Sequence, residues 1–223
     1  MIRNVVCMLV LLALCVSVLP AVAGETEHWG EYAIQKKING RVSLKSDIQM
    51  RVRDDISDFY WLRFEIGPNI KIDNRWLNVT TYFRIKRQEY SDGWDNQYNI
   101  FIDPIVKLYN DKTTTFDFRV RIHSQLNDDN RRQFIRLRPR LTTRFILGKT
   151  RCAWFVYNDF WMEIGEPGDR DRYNVNWLAS GFRFGLNKPV SLAVYLQCRS
   201  DKLPATGKWD HYPVLGSSLQ YSF

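Results

Sequence analysis

Residues 59–72, FYWLRFEIGPNIKI, alternate between apolar and polar side chains almost without exception. Apolar residues occupy the even positions from Leu62 to Ile72, and Arg63, Glu65 and Lys71 stand at odd positions between them. Successive side chains of a β-strand point to opposite faces. The pattern therefore predicts a strand with one face in a polar medium and the other in an apolar one, which is either a protein core or lipid.

The same period of two recurs along the rest of the chain, without helical periodicity and without a linker. We count about eleven strand-length segments, and the clearest alternation covers residues 42–53, 77–86, 116–123, 135–147 and 192–199. Residues 24–223 are therefore expected to form a single all-β domain.

The connections between these segments fall into two sets. Short turns rich in Asn, Asp and Gly lie at residues 38–40, 73–75, 110–112, 147–150 and 187–189. Charged segments that we expect to be longer loops lie at 53–58, 89–96, 126–132, 165–172 and 200–210. Short turns at one rim and long loops at the other are typical of outer-membrane barrels. We therefore predict an antiparallel up-and-down transmembrane β-barrel of 10–12 strands.

The strand number itself stays open at this point. Bacterial single-chain barrels have an even number of strands, whereas the segments number about eleven. Either the first segment, residues 28–38, which has the weakest alternation, lies outside the wall and leaves ten strands, or two strands have been counted as one and the total is twelve.

A soluble calycin-like barrel is the main alternative fold. A calycin-like barrel would bury its apolar residues around one ligand and expose its arginines to water. The apolar faces of about eleven strands carry more side-chain volume than such a core can hold, which argues against this fold. No later stretch approaches 18 consecutive apolar residues, so a membrane location requires a closed barrel. The pattern favours lipid outside and a polar interior.

The beginning of the sequence predicts export. Residues 1–23 combine Arg3, an apolar run from Val5 to Leu19, Pro20 and the Ala21–Ala23 segment, which is the pattern of a signal peptide cleaved after Ala23 on the Sec pathway. The apolar run is shorter than the ~20 residues of a spanning helix. The formal net charge of +8 suits an anionic partner such as lipopolysaccharide but determines no fold.

Several segments resemble an uncharacterised Gram-negative outer-membrane β-barrel family, a domain of unknown function similar to DUF2490. These segments are HWGEYAIQKKINGRVSL (28–44), FIRLRPRL (134–141), NDFWMEIG (158–165) and GFRFGLNKPVSLAVYL (181–196). In addition, Leu219, Tyr221 and Phe223 resemble the signal read by the barrel-assembly machinery. The resemblance implies a place in the outer membrane, with its lipids, lipopolysaccharide and the assembly machinery as partners. It implies no activity.

Charged residues of the polar face form the candidate site. The predicted cluster consists of Arg63, Glu65, Arg84, Lys86, Asp117, Arg119, Arg121, Arg136, Arg138, Arg140, Arg144, Asp159 and Glu163. A ring of like charge in a low-dielectric wall attracts counter-ions, so one interpretation is an anion-attracting narrow pore. The other is a structural or surface-interaction protein in which arginine–carboxylate pairs brace a narrow barrel.

Catalytic and metal-binding patterns are weak. His123 and Ser124 are adjacent on a strand, so they point to opposite faces and form no hydrolase pair. By their positions in the alternation, Cys152 and Cys198 lie on the lipid side. Two cysteines are too few for a disulfide framework, and whether they pair with each other stays open at this point. We expect a monomer without a cofactor, a metal or a nucleic-acid partner. The alternative that stays open is an outer-membrane hydrolase acting on lipid or lipopolysaccharide.

Overall fold

A computed structural model describes residues 26–53, 58–73, 75–90, 93–126, 133–147, 150–164, 173–187, 189–203 and 206–223. The side chains of residues 133, 134, 163, 164, 174 and 187 lie outside this description, as do the predicted signal peptide and most of the predicted long loops. The strands are β1 (Glu27–Lys37), β2 (Val42–Arg53), β3 (Asp58–Asp73), β4 (Leu77–Tyr90), β5 (Gly93–Asn110), β6 (Thr114–Gln125), β7 (Gln133–Leu147), β8 (Thr150–Ile164), β9 (Tyr173–Asn187), β10 (Val190–Lys202) and β11 (Trp209–Ser222).

These strands form one closed barrel, which confirms the predicted all-β barrel fold. Each strand from β1 to β10 pairs antiparallel with the next strand along the chain, and β11 closes the barrel by pairing with β1. Closure gives every described strand a neighbour on both sides, so the sheet has no free edge strand among the described residues. No helix among the described residues is long and apolar enough to cross a membrane.

The described residues form eleven strands, a number within the predicted range of 10–12 that matches neither the ten-strand nor the twelve-strand alternative. The first segment is a wall strand: β1 pairs antiparallel with β2 and parallel with β11, from Glu27 opposite Val214 to Gln35 opposite Ser222. In an up-and-down barrel with an odd number of strands, the first and last strands run in the same direction. A parallel ladder then completes the hydrogen bonding.

The weak alternation of β1 has a structural cause. Trp29 and Ala33 contribute to the lining of the barrel interior, while Tyr32, which lies between them, is exposed. Apolar side chains therefore occur on both faces of this strand, and a period of two is hard to detect in its sequence.

One rim of the barrel, here called the turn rim, carries connections of two to four residues, after β1, β3, β5, β7 and β9. Asp111 shapes one of them: its Oδ1 accepts hydrogen bonds from the backbone N–H groups of Thr113 at 2.7 Å and Thr114 at 2.5 Å. Together with the Tyr109 hydroxyl, which donates to Oδ2 at 2.6 Å, these bonds lower the pKa of Asp111 to about 2.

The opposite rim, here called the loop rim, differs from the prediction. Connections of six to eight residues follow β6, β8 and β10, but only two residues join β4 to β5 and four join β2 to β3. Most of the charged segment 89–96, expected to be a loop, extends the β4–β5 hairpin, from Tyr90 opposite Gly93 to Gln88 opposite Asp95. Strand pairing thus continues into residues that the sequence pattern assigned to a loop.

The two faces of the wall differ in chemistry. The inner face carries most of the buried charged residues. The outward face of the strands exposes large apolar side chains, which include Tyr32, Leu44, Ile48, Met50, Ile70, Phe83, Ile85, Ile100, Ile102, Ile122, Phe145, Leu178, Leu186 and Leu219.

Candidate functional site

The barrel encloses a cavity of about 630 Å³ that extends from Gln35 and Gln220 near the turn rim to Gln88 and Gln97 near the loop rim. Among the described residues, twelve basic and four acidic side chains line it. The basic ones are Lys45, Arg51, Arg63, Arg84, Lys86, Arg119, Arg121, Arg136, Arg138, Arg140, Arg183 and Arg199, and the acidic ones are Glu31, Asp47, Glu65 and Asp117.

Arg63 is the centre of an ion-pair network that joins four strands. Its guanidinium lies 3.1 Å from Glu31 of β1, 2.6 Å from Asp47 of β2 and 3.2 Å from Glu65 of its own strand. Arg84 of β4 approaches the same Glu65 carboxylate at 2.5 Å. Because these charges are buried together, each compensates the desolvation of the others.

Arg121 extends this network to the next strands. It lies 3.8 Å from Glu65 and 2.9 Å from Asp103 of β5, which also binds Arg119 at 2.6 Å. The Asp103 side chain is 0% exposed and lies behind the two arginines. One carboxylate is therefore shared by two guanidinium groups.

A similar arrangement occurs on the neighbouring strands β7 and β8, where Arg138 is opposite Arg119 of β6. Asp159 of β8, also 0% exposed, binds both Arg136 and Arg138 of β7, with Arg138 at 2.5 Å. Arg140, the next inward residue of β7, binds Asp117 of β6 at 3.0 Å. The inner face of β7 thus presents three arginines to two carboxylates.

Aromatic rings and guanidinium groups form a layer across the interior. The Arg51 guanidinium lies between Trp29 and Trp61, 3.6 and 3.8 Å from the ring centroids. Trp29 packs edge-on against Trp177 of β9 with 5.1 Å between centroids, and Arg136 of β7 lies 5.0 Å from the Trp177 ring. Contacts between β1–β3 and β7–β9 across the interior narrow the passage.

Some cavity-lining cations form no ion pair in the described part of the chain. Lys45 and Arg183 have neither an ion pair nor a side-chain hydrogen bond there. Lys86 donates to Gln88 at 3.1 Å, and Arg51 reaches Gln49 at 3.4 Å in addition to its aromatic contacts. The interior thus has a surplus of positive charge.

The structure brings most of the predicted cluster together. Asp159 lies behind the arginines that it binds, and Arg144 is exposed near the turn rim, apart from the cavity. The backbone of Glu163 lies in β8, but its side chain is outside the described residues. The cluster members that line the cavity are Arg63, Glu65, Arg84, Lys86, Asp117, Arg119, Arg121, Arg136, Arg138 and Arg140.

Sequence analysis left Glu31, Lys45 and Arg51 out of the candidate site. The alternation of β2 places Lys45 and Arg51 on the same face as Asp47, so the sequence pattern could have identified both as lining the interior. Glu31 belongs to the weakly alternating β1, where parity alone gives no clear inner face. Its role depends on Arg63, 32 positions later in the sequence.

A second polar constellation lies on the outward face near the loop rim. Ser200 of β10 and His211 of β11 are opposite each other, with 2.8 Å between Ser200 Oγ and His211 Nδ1. Asn176 of β9 is opposite Ser200 on the other side. Only the pairing register brings these residues together, which is why sequence analysis missed them. His123, by contrast, lies inside the barrel, 5.6 Å from the Trp161 ring.

The outward face also carries the two cysteines of the barrel. Cys152 is buried and Cys198 exposed, and both are free thiols, so they do not pair. In the part of the chain that the structure describes, no group of three or more His, Cys, Asp and Glu side chains is placed to hold a metal ion.

The sequence profile of the DUF2490 family, described as a protein of unknown function, matches residues 26–210. This chain belongs to the DUF2490 family. The match spans the wall from the residue before β1 to the first residues of β11, so the family extends over nearly the whole barrel of this DUF2490 protein. No curated protein matches the sequence.

Proposed function

We propose that this DUF2490 protein is an outer-membrane β-barrel. The observation that carries the proposal is the inside-out distribution of its side chains. Ile102 and Ile122 are opposite each other on β5 and β6 and are 51% and 47% exposed, while the charged residues of neighbouring positions face inward. A continuous exposed apolar surface of this kind indicates contact with lipid.

Its activity, in this proposal, is that of a narrow pore that attracts anions. The cavity extends along most of the barrel, and its lining is predominantly basic. Charge of one sign in a low-dielectric wall focuses its field on counter-ions. The ion-paired arginines also brace the wall, so the narrow bore and the positive field arise from the same residues.

Membrane location is tested by expressing the full chain in a Gram-negative host. We expect it in the outer-membrane fraction, resistant to carbonate extraction, with heat-modifiable migration on gels and a mature chain that begins at Gly24. A fully soluble product would overturn the proposal.

Pore activity is tested by ion selectivity in planar bilayers. We expect the wild-type reversal potential to favour anions. Lys86→Glu, which changes a cavity cation without breaking an ion pair, is expected to shift this potential toward cations. Lys112→Glu, at an exposed position of the turn rim, is the matched control and should shift it less. A wild-type barrel without conductance would overturn the pore assignment.

A second candidate function, hydrolysis of membrane lipid esters, is favoured by the Ser200–His211 pair on the outward face. In such a reaction Ser200 Oγ attacks the ester carbonyl carbon, and His211 accepts the serine proton and delivers it to the leaving alcohol. Water then hydrolyses the acyl-serine. Ser200→Ala should abolish release of fatty acid from detergent-dispersed lipid, whereas Ser217→Ala should not. No release by the wild-type protein would exclude this candidate.

A further inference from the structure

Four basic side chains from four strands meet in the half of the cavity nearer the turn rim. They are Lys45 of β2, Arg119 of β6, Arg140 of β7 and Arg183 of β9, and we call them the turn-side basic cluster. Lys45 lies within electrostatic reach of Arg119 and Arg140 and of Asp103 and Asp47, and Arg183 lies within reach of Arg140 and Glu31. Cations placed so close together repel each other unless negative charge lies between them.

The carboxylates nearby do not balance this cluster. Asp117 pairs with Arg140, and Asp103 is shared between Arg119 and Arg121. Glu31 and Asp47, the other acidic residues of this region, both bind Arg63. Lys45 and Arg183 therefore form no ion pair among the described residues, and Asp103 and Asp47 act on Lys45, and Glu31 on Arg183, only from beyond ion-pair distance. A charge removed from bulk water is costly without a partner, so an anion from solution is favoured here.

The cavity also has space beside these cations. Ala193 is opposite Arg183 on β10, Ser218 is opposite Ala193 on β11, and Ala33 lines the neighbouring part of β1. These small side chains leave the Arg183 guanidinium exposed to the cavity, unlike the buried Arg121 of the ion-pair network. A ligand of a few atoms can therefore reach Arg183 without displacing the wall.

We propose that the turn-side basic cluster binds a phosphate-type oxyanion, either free phosphate or the phosphoryl group of a small solute. Guanidinium groups match the geometry of tetrahedral oxyanions through paired N–H donors, and an ammonium adds a point charge. The Arg119 side chain is 18% exposed, so part of it remains accessible although it is paired with Asp103. This deepens the proposed function, because an anion that enters the passage meets a specific binding site.

Calorimetry on the full chain, folded in zwitterionic detergent micelles, tests the site. We expect saturable binding of sodium phosphate in a chloride buffer. Lys45→Gln and Arg183→Gln should each weaken it about tenfold or more, since each removes a charged hydrogen-bond donor. Neither substitution breaks an ion pair, and heat-modifiable migration verifies folding. Arg144→Gln, exposed near the turn rim outside the cavity, is the matched control and should bind as the wild type does.

The probes separate the two sources of the ligand. Tighter binding of inorganic phosphate than of glycerol 3-phosphate supports a site for free phosphate, and the reverse order supports a phosphorylated solute. Absence of saturable binding of both, or wild-type affinity in the Lys45→Gln/Arg183→Gln double variant, would overturn the inference. Its failure is distinguishable from that of the pore: anion-selective conductance without binding refutes only the site, and binding without conductance refutes only the pore.

Discussion

Gly216 on β11 makes room for the ring of Tyr195 on the neighbouring strand. A Cβ at Gly216 would lie 2.0 Å from Cζ of that ring, so the ring covers the glycine directly. Such aromatic–glycine contacts fix the register of adjacent strands. We predict that Gly216→Ala lowers the free energy of unfolding by about 1 to 3 kcal/mol, because the added methyl group overpacks the contact. Urea titration of the protein in detergent micelles measures this.

The control for this prediction is Gly30→Ala on β1, where a Cβ would meet nothing within 4 Å. It should leave stability nearly unchanged. In a Tyr195→Ala background the cost of Gly216→Ala should disappear, because the ring is gone. A Gly216→Ala cost that persists there would contradict the role of the ring.

Glu65 is the second residue whose environment predicts a large effect. The Glu65 side chain is 3% exposed, and its carboxylate binds Arg63 and Arg84. Glu65→Gln keeps the shape but leaves these guanidinium groups with less compensating charge, so we predict a loss of about 3 to 5 kcal/mol in the free energy of unfolding.

The matched control for Glu65→Gln is Asp58→Asn in the more exposed pair with Arg53. This substitution should cost about 0 to 1 kcal/mol. Equal urea midpoints for the two variants would show that the interior network is as well solvated as the surface pair.

At the scale of elements, the parallel β1–β11 pair determines how the barrel closes. The Phe223 N–H donates to the Gln35 carbonyl at 3.0 Å, and the Lys37 N–H donates to the Phe223 carbonyl at 2.7 Å. Deletion of Phe223 therefore removes two hydrogen bonds of the closing pair in addition to the aromatic side chain.

Phe223→Ala separates the two contributions, because it keeps both backbone hydrogen bonds. If Leu219, Tyr221 and Phe223 form the assembly signal, this variant should insert poorly in cells and be degraded in the periplasm, while the refolded protein keeps nearly wild-type stability. Membrane fractionation and urea titration measure the two properties. If the Phe223→Ala variant inserts into the membrane as efficiently as the wild type, the Phe223 ring serves only in packing at the rim.

At the scale of the whole molecule, the inside-out arrangement means that substitutions at neighbouring residues of one strand destabilise the barrel to different extents. Phe118 and Arg119 are adjacent on β6, and Arg119 faces the cavity. In lipid vesicles, Phe118→Arg should cost about 2 to 4 kcal/mol if Phe118 lies near mid-membrane. Arg119→Ala should cost less, because Asp103 keeps Arg121 as a partner. If a refolding titration shows that Arg119→Ala destabilises the protein more than Phe118→Arg does, the assignment of the inward and outward faces is wrong.

The alternation of side chains was sufficient to predict much of this architecture. A period of two is local, since each residue's face follows from its immediate neighbours. It therefore gave the barrel fold, the approximate strand limits and the inward parity of arginines such as Arg63, Arg119 and Arg138. Where apolar residues occur on both faces, as with Trp29 and Tyr32 of β1, the same signal was weak.

The sequence by itself determined an all-β chain with one polar and one apolar face, but the tertiary structure decided how that chain closes and which charges meet. The eleven-strand closure, the sharing of Asp103 by two arginines and the lack, among the described residues, of an ion pair for Lys45 and Arg183 depend on register and on distances across the interior. These are relations between residues far apart in sequence, so no local period encodes them. They arise only when all the strands pair at once.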